Sequence, residues 1–360
     1  MEKVVTSATL YFESLLQDIQ KAQKSIFLEC YIFEWDEVGE KIGKALAKKA
    51  QEGLDVRLLV DAIGSLSFDK KNYEELLKQK VRVHIYHPLP WKIWQWTKKK
   101  SAIVHGDSFL KLWRHLNKRL HRKSLIIDSK IAWVGSYNIT QTHLKQWKDV
   151  AISFQDERVA FLQEAFYKAW GEPFSLRFFQ IPSDLYLNIF FWQRMRGRRI
   201  FFQKIKKAQK RIWLLSAYFI PERRFLRRLK QAGRLGQDVR LFLPQNSDVF
   251  FMHWSARIFY AELLNSGVRI FEYQGGVLHA KVSLIDEEGM VGSSNLNHRS
   301  FNHDLEVDIV LREEQSKLDL QAFYDEIQKG SQEIKKEDMQ KLPLFKMIFG
   351  RFFLLFKFWL

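Results

Sequence analysis

The sequence has one cysteine in 360 residues, no uninterrupted apolar run of membrane-spanning length, and 41 acidic residues against 58 basic ones. A lone thiol excludes an intramolecular disulfide framework, and Cys30 lies in an apolar stretch, where it reads as a reduced core residue with no redox role. The opening residues, MEKVVTSATLYFESLLQ, place no apolar segment behind a basic start, so neither a secretory signal nor a leading membrane helix is expected, and the chain is expected to stay in the cytoplasm. The most hydrophobic stretch, residues 344–360, is interrupted by Lys346, Arg351 and Lys357 and is short for a crossing, which needs about 20 apolar residues. It reads as an interfacial segment.

The shortage of acids leaves a formal charge of +17, and such a surface attracts polyanions, which makes nucleic acid and anionic lipid the partner classes to weigh. Aromatic residues make up 15% of the chain, with 12 Trp and 30 Phe, and rings in that quantity suit a surface that meets acyl chains better than one that meets a duplex. At 46% hydrophobic the chain can fill the cores of two domains.

Those domains are copies of one another. AQKSIFLECYIF at residues 22–33 recurs as AQKRIWLLSAYFI at 208–220, and GLDVRLLVD at 53–61 recurs as GQDVRLFLP at 236–244. Each half reads as strand, helix, strand, followed by another helix and a second strand near Val81 or Val268. The alternation predicts α/β layers with a largely parallel sheet in each half. The expected borders are 1–175 for the first domain, 176–330 for the second and 331–360 for a membrane-associating tail. The first copy carries an insertion at 87–120, where Trp91, Trp94, Trp96 and Trp113 stand among eight lysines and arginines with Asp107 as the sole acid. Indoles beside cations belong at a lipid head-group boundary, so Trp91, Trp94, Trp96 and, in the tail, Phe352, Phe353, Phe356 and Trp359 are expected membrane contacts.

The chemistry is concentrated in two further copies. HRKSLIIDSKIAWVGSYN contains His121, Lys123, Asp128, Gly135, Ser136 and Asn138, and HAKVSLIDEEGMVGSSN contains His279, Lys281, Asp286, Gly292, Ser293 and Asn295. Histidine and lysine two apart on a strand project from the same face. The glycine turn that follows brings a hydroxyl and an amide, Ser136 and Asn138 or Ser293 and Asn295, as donors for phosphate oxygens. A phosphodiester needs this set: ammonium and amide groups to hold its oxygens, one imidazole to attack phosphorus, and a second to protonate the departing alcohol. Each imidazole also needs an acceptor on its other nitrogen, and the acids at matching distances downstream are Asp149 and Glu306. A metal site is disfavoured, because a lysine accompanies each histidine and no cysteine joins them.

The paired motifs resemble the HxK(x)4D signatures of the phospholipase D superfamily. The similarity extends over nearly the whole chain and is greatest to bacterial cardiolipin synthases of the short, peripheral type, through AYFIP at 217–221, FEYQGGVLHAK at 271–281 and VGSSNLNHRS at 291–300. The resemblance implies two pseudo-twofold-related α/β/α domains with mixed, largely parallel sheets and helices on both faces, and one site at their interface. It also implies catalytic roles for His121, Lys123, Asp128, His279, Lys281 and Asp286, a covalent phosphohistidine, and no metal or other cofactor. In relatives the first motif often supplies the nucleophile, which assigns attack to His121 and proton donation to His279. Asp304 stands where some relatives carry a neutral amide.

The expected reaction is phosphatidyl transfer between two phosphatidylglycerol molecules, peripheral on the cytoplasmic face of a bacterial inner membrane, with no nucleic-acid partner. Hydrolysis of phospholipid is the nearest rival, since spacing does not reveal whether water reaches the site. An endonuclease of the same superfamily is the second, and the apolar tail and FFMHW at 250–254 argue against it. A catalytically idle membrane scaffold is the third, disfavoured by two intact motifs.

Overall fold

A computed structural model describes residues 2–89, 91–95, 118–173, 181–340 and 344–355, so Trp96, Phe356 and Trp359 lie outside the described residues. The first half contains β1 (Glu2–Val5), α1 (Ala8–Lys21), β2 (Ser25–Cys30), α2 (Glu37–Gln51), β3 (Asp55–Asp61), α3 (Lys70–Lys78) and β4 (Arg82–Tyr86). It continues through β5 (Ser124–Ile127), β6 (Ile131–Gly135), α4 (Gln141–Lys145), β7 (Trp147–Lys148), β8 (Ala151–Phe154) and α5 (Arg158–Trp170). The sheet order is β1-β8-β6-β5-β2-β3-β4. Helical crossovers make β2, β3 and β4 parallel, whereas the tight hairpin between β5 and β6 makes the remaining neighbours antiparallel.

The second half repeats the plan with β9 (Leu185–Leu187), α6 (Phe191–Lys207), β10 (Arg211–Leu215), β11 (Phe219–Ile220), α7 (Arg223–Arg234), β12 (Asp238–Pro244), α8 (Phe250–Arg257), α9 (Tyr260–Leu264) and β13 (Arg269–Tyr273). It ends with β14 (Val277–Leu278), β15 (Val282–Ile285), β16 (Glu288–Gly292), β17 (Leu296–Asn297), α10 (His298–Asn302), β18 (Val307–Val310), α11 (Glu314–Lys329), β19 (Ser331–Ile334), α12 (Lys336–Gln340) and α13 (Leu344–Leu354). Its sheet runs β19-β13-β12-β10-β15-β16-β18-β9, again with parallel pairing confined to three strands, β10, β12 and β13. Both sheets are therefore mixed, and most neighbours in each are antiparallel. Residues 331–334, expected in the tail, are the edge strand of this sheet and pair with β13.

Strand alternation sorts the core into layers. In β2, Ile26, Leu28 and Cys30 pack with α1 and α2, while Phe27 points the other way, onto Phe166 of α5. The α5 residues Val159, Leu162, Phe166 and the α11 residues Leu320, Phe323, Tyr324, Ile327 recur at helical spacing and join both sheets in one buried cluster. The outer face of the second sheet is covered by α6, α7 and α9. The two halves thus share a middle layer and cannot separate without exposing it. Truncating Phe166, which is wholly buried there, is expected to cost roughly 3–5 kcal/mol.

Candidate active site

Alternation also places the reactive groups. On the segment that leads from Leu120 into β5, His121 and Lys123 point one way and the intervening Arg122 the other, where its guanidinium donates to both oxygens of Glu29 at 2.8 and 2.9 Å. Both partners are completely buried, so the pair is structural. The histidines line one cleft of about 440 Å³, together with Tyr31, Arg119, Asn138, Trp147, Tyr218, Asp248, Asn295 and Arg299.

The halves are stitched crosswise at this cleft. The His121 N–H donates to the Leu305 carbonyl at 3.0 Å, and the Leu305 N–H returns a bond to Arg119 at 2.8 Å. Symmetrically, the His279 and Ala280 N–H groups both donate to the Lys148 carbonyl, at 2.8 and 2.9 Å, where β7 pairs with β14. Each histidine therefore lies beside the acid of the opposite half. His121 Nδ1 stands 3.0 Å from both oxygens of Glu306, and His279 Nδ1 stands 2.7 Å from Asp149 Oδ1. A carboxylate on Nδ1 fixes a proton there and leaves Nε2 for the cleft.

The two acids are not equivalent. Although burial works against its charge, Asp149 is held well below the usual carboxylate range by His279 and by His143, whose Nδ1 lies 2.6 Å from Oδ2. Glu306 accepts from the hydroxyls of Ser293 and Ser300, yet burial pushes its pKa up to about 8. Burial likewise lowers both histidines well below their ordinary value, with Lys123 and Lys281 adding repulsion at His121, and Lys281 opposing Asp149 at His279. The lysines are themselves buried, which brings Lys123 down to about 8 and Lys281 well below the usual lysine range. Their ammonium groups donate to the carbonyls of His121 and His279. Neither lysine lines the cleft itself, but two ammonium groups buried behind its two imidazoles, with Arg119 and Arg299 in its wall, favour a bound anion.

Not every expected site residue reaches the cleft. Asp128 and Asp286 face away from it: Asp128 accepts from the N–H groups of Gln23, Lys24 and Ser25, and Asp286 from those of Gln209, Lys210 and Arg211. Each pins a hairpin turn to the start of a parallel strand and touches no reacting group. Ser136 exchanges hydrogen bonds with the Val150 backbone, and Ser293 serves Glu306 and Val307, so both hydroxyls are spent within the fold. Asn138 and Asn295 do line the cleft. Gly135 and Gly292 are glycines because a Cβ would lie 2.4 Å from the Val150 carbonyl and 2.5 Å from the Val307 carbonyl. Among the expected membrane contacts, Trp91 is 71% exposed and Phe352 51%, whereas Trp94 packs on Tyr73 and Phe353 stacks on Phe251 at 4.5 Å.

Sequence reasoning missed His143, Tyr31, Arg119, Tyr218, Asp248 and Arg299. The signal for His143 was in the repeat: it follows Asn138 by five residues, as Ser300 follows Asn295, and both side chains support the acid six residues later. His143 also places Nε2 3.1 Å from Asn138 Nδ2. Asp304 holds the Arg299 guanidinium at 2.9 and 3.1 Å and accepts from the Arg119 N–H. His143, Asp149 and His279 offer ligand atoms within 4.8 Å of one another. Both Asp149 oxygens are already engaged by ring nitrogens, however, and the Lys281 charge acts at Asp149 and His279, so this donor set does not suit a cation. Among the described residues, no helix is long and apolar enough to cross a membrane.

Residues 15–170 and 201–328 match the family described as "Cardiolipin synthase, PLD-like domain". The chain is 30% identical to a Geobacillus cardiolipin synthase over 95% of its own length and 69% of the relative's, and 31% identical to one from Clostridium perfringens over 95% and 73%. In fold it is similar to phosphatidylserine synthase from Haemophilus influenzae, with a TM-score of 0.71, 14% identity and coverage of 100% of this chain and 95% of that one. It also overlays 49% of a polyphosphate kinase from Porphyromonas gingivalis, with a TM-score of 0.67 and 12% identity over 93% of this chain.

Proposed function

The chain belongs to the cardiolipin synthase family of phospholipase D-type phosphatidyltransferases, and from that premise we propose that it joins two phosphatidylglycerol molecules into cardiolipin and glycerol at a membrane surface. The observation that carries the reading is the crosswise pairing of His121 with Glu306 and His279 with Asp149 around one cleft.

His121 Nε2 attacks phosphorus of the first lipid, and the bond from phosphorus to the glycerol oxygen breaks as His279 protonates that oxygen. His279 suits the acid role because an ionised Asp149 supports its cationic form, and the negative charge of a bound phosphodiester adds to that support. A hydroxyl of the second lipid then attacks the phosphatidyl-histidine, His279 takes its proton back, and the phosphorus–nitrogen bond breaks. Lys123, Lys281, Asn138 and Asn295 stabilise the charge on the five-coordinate phosphorus.

The rim of the cleft supports a lipid acceptor. Trp91 and Ile63 line it while remaining 71% and 39% exposed. Its wall residues Phe251 and Met252 belong to α8, against which α13 packs with Gly350 directly over the Trp254 carbonyl. Along α13, Phe345, Ile348, Phe349 and Phe352 are at least half exposed at helical spacing, and they would enter a leaflet beside the cleft. Peripheral attachment to the cytoplasmic leaflet follows from this reading.

The test is incubation of the protein with phosphatidylglycerol vesicles and identification of products by mass. Cardiolipin and glycerol in equal amounts are expected, with His121→Ala and His279→Ala inactive but folded. Phosphatidic acid alone would identify a hydrolase, and plasmid nicking without lipid turnover would identify a nuclease.

A further inference from the structure

We propose that the groove between α6 and α7, outside the catalytic cleft, seats the phosphate head groups of an acidic leaflet and holds the protein on the membrane independently of its chemistry. The inference extends the lipid reading above to a second surface. Residues 191–234 contain fifteen lysines and arginines and a single acid, Glu222. That acid is taken by Arg198 at 3.1 Å. Other nearby cations find acids elsewhere, Lys204 on Glu288, Lys210 on Glu287 and Lys230 on Glu262.

The two helices turn four of the remaining cations, Arg199, Lys206, Arg224 and Arg228, towards each other. Helical spacing aligns Met195, Arg199, Phe202 and Lys206 on the facing edge of α6 and Arg224 and Arg228 on that of α7, enclosing a groove of about 280 Å³ with no acid among the described residues that line it. Arg199, Lys206 and Arg224 are exposed, and Arg228 is half-buried. Like charges one turn apart destabilise a helix, so crowding Arg223, Arg224, Arg227 and Arg228 onto α7 works against folding unless an anion offsets it. A second feature points to lipid over free phosphate or nucleic acid. The first turn of α6 presents Phe191, 75% exposed, and Trp192, 40% exposed, and aromatic side chains beside cations mark the boundary between head groups and acyl chains.

The experiment compares the full chain with R199Q/R224Q/R228Q and R199K/R224K/R228K in co-sedimentation with vesicles of phosphatidylcholine alone or mixed with phosphatidylglycerol, at low and high salt. A basic residue near an acidic leaflet contributes about 1 kcal/mol, so the glutamine variant should lose roughly 100-fold in binding to the mixed vesicles. The lysine variant should stay within about threefold, since the leaflet reads charge more than guanidinium geometry. Turnover of detergent-dispersed phosphatidylglycerol should be the same in all three proteins. Should the triple variant lose its fold, R224Q alone changes one exposed side chain and should lose about fivefold.

Mixed-vesicle binding by the glutamine variant within threefold of the parent would overturn the proposal, as would a loss confined to duplex DNA binding. If no lipid is turned over by any variant, the assigned reaction fails while vesicle binding still decides the role of the groove.

Discussion

Asp149→Asn tests the crosswise arrangement most directly. Asp149 is wholly buried and accepts from His279 Nδ1 at 2.7 Å and His143 Nδ1 at 2.6 Å, so the amide keeps the shape but offers one acceptor where two donors converge. One charge-assisted bond, worth roughly 1.5–3 kcal/mol, is replaced by a donor facing a donor. His279 also loses the anion that supports its charged form. Exchanging the orienting carboxylate of a catalytic histidine for an amide lowers kcat on the order of a thousand- to ten-thousandfold, and that range is expected for cardiolipin formation.

The mechanism is separated from simple damage by the leaving group. An ester of phosphatidic acid with p-nitrophenol departs without protonation, so burst release of nitrophenolate should be restored to within about tenfold in Asp149→Asn and His279→Ala. Glu306→Gln and His121→Ala act on the nucleophile and should not be rescued. Rescue of the Glu306 and His121 variants in place of the others would reverse the assigned roles. Rescue of none would show that Asp149 does not serve the acid.

The His121–Glu306 pair should give an alkaline-rising limb in kcat/KM near pH 8, because burial raises Glu306 to about 8 and the proton it retains below that point must leave before Nε2 can attack. The same shift means that the folded state binds this proton more tightly than the unfolded chain, so its contribution to stability is complete below about pH 4.5 and fades as pH rises through about 8. Glu306→Gln should abolish both effects, as a pH–rate profile and thermal melts across pH would record. Asp128→Ala should cost roughly 0.5–1.5 kcal/mol of stability, since of the three backbone N–H groups it serves those of Gln23 and Lys24 can turn to water, while kcat of the folded fraction stays within about twofold; a loss comparable to His121→Ala would restore Asp128 to the chemistry. Deleting residues 344–360 should weaken co-sedimentation with vesicles more than turnover of detergent-dispersed lipid, and unchanged sedimentation would remove α13 as an anchor.

Much of this site was legible because the chain states it twice. The repeat located both His-x-Lys strands, both acids and the α/β layering, since strand periodicity and duplicated spacing are local properties. What spacing could not show was which half an acid serves. Asp149 lies 28 residues after His121 and 130 before His279, yet backbone pairing of Lys148 with His279 and Ala280 gives it to the distant histidine. The mostly antiparallel pairing escaped for a similar reason, because the halves begin with parallel crossovers that dominate the pattern while later strands return by hairpins. Asp128 and Ser136 were misplaced because a carboxylate or hydroxyl in a catalytic motif looks the same in sequence whether it meets substrate or backbone.

The buried lysines connect the site to stability. Lys281 is buried, its ammonium donates one hydrogen bond to the His279 carbonyl, and burial together with the Lys123 charge lowers its pKa against the opposing pull of Asp149, Asp248 and Glu306. Dehydrating two such cations works against folding, and a bound phosphate offsets that cost by adding negative charge beside them. Lys281→Met fills similar volume without the dehydration cost, so the variant should be inactive yet as stable as the parent or more stable by roughly 1–3 kcal/mol. Tungstate or inorganic phosphate should raise Tm of the parent and fail to raise that of the variant. A variant that melts well below the parent would mean that the lysine holds the fold together, and the pocket would then owe its positive charge to structure rather than to a phosphodiester.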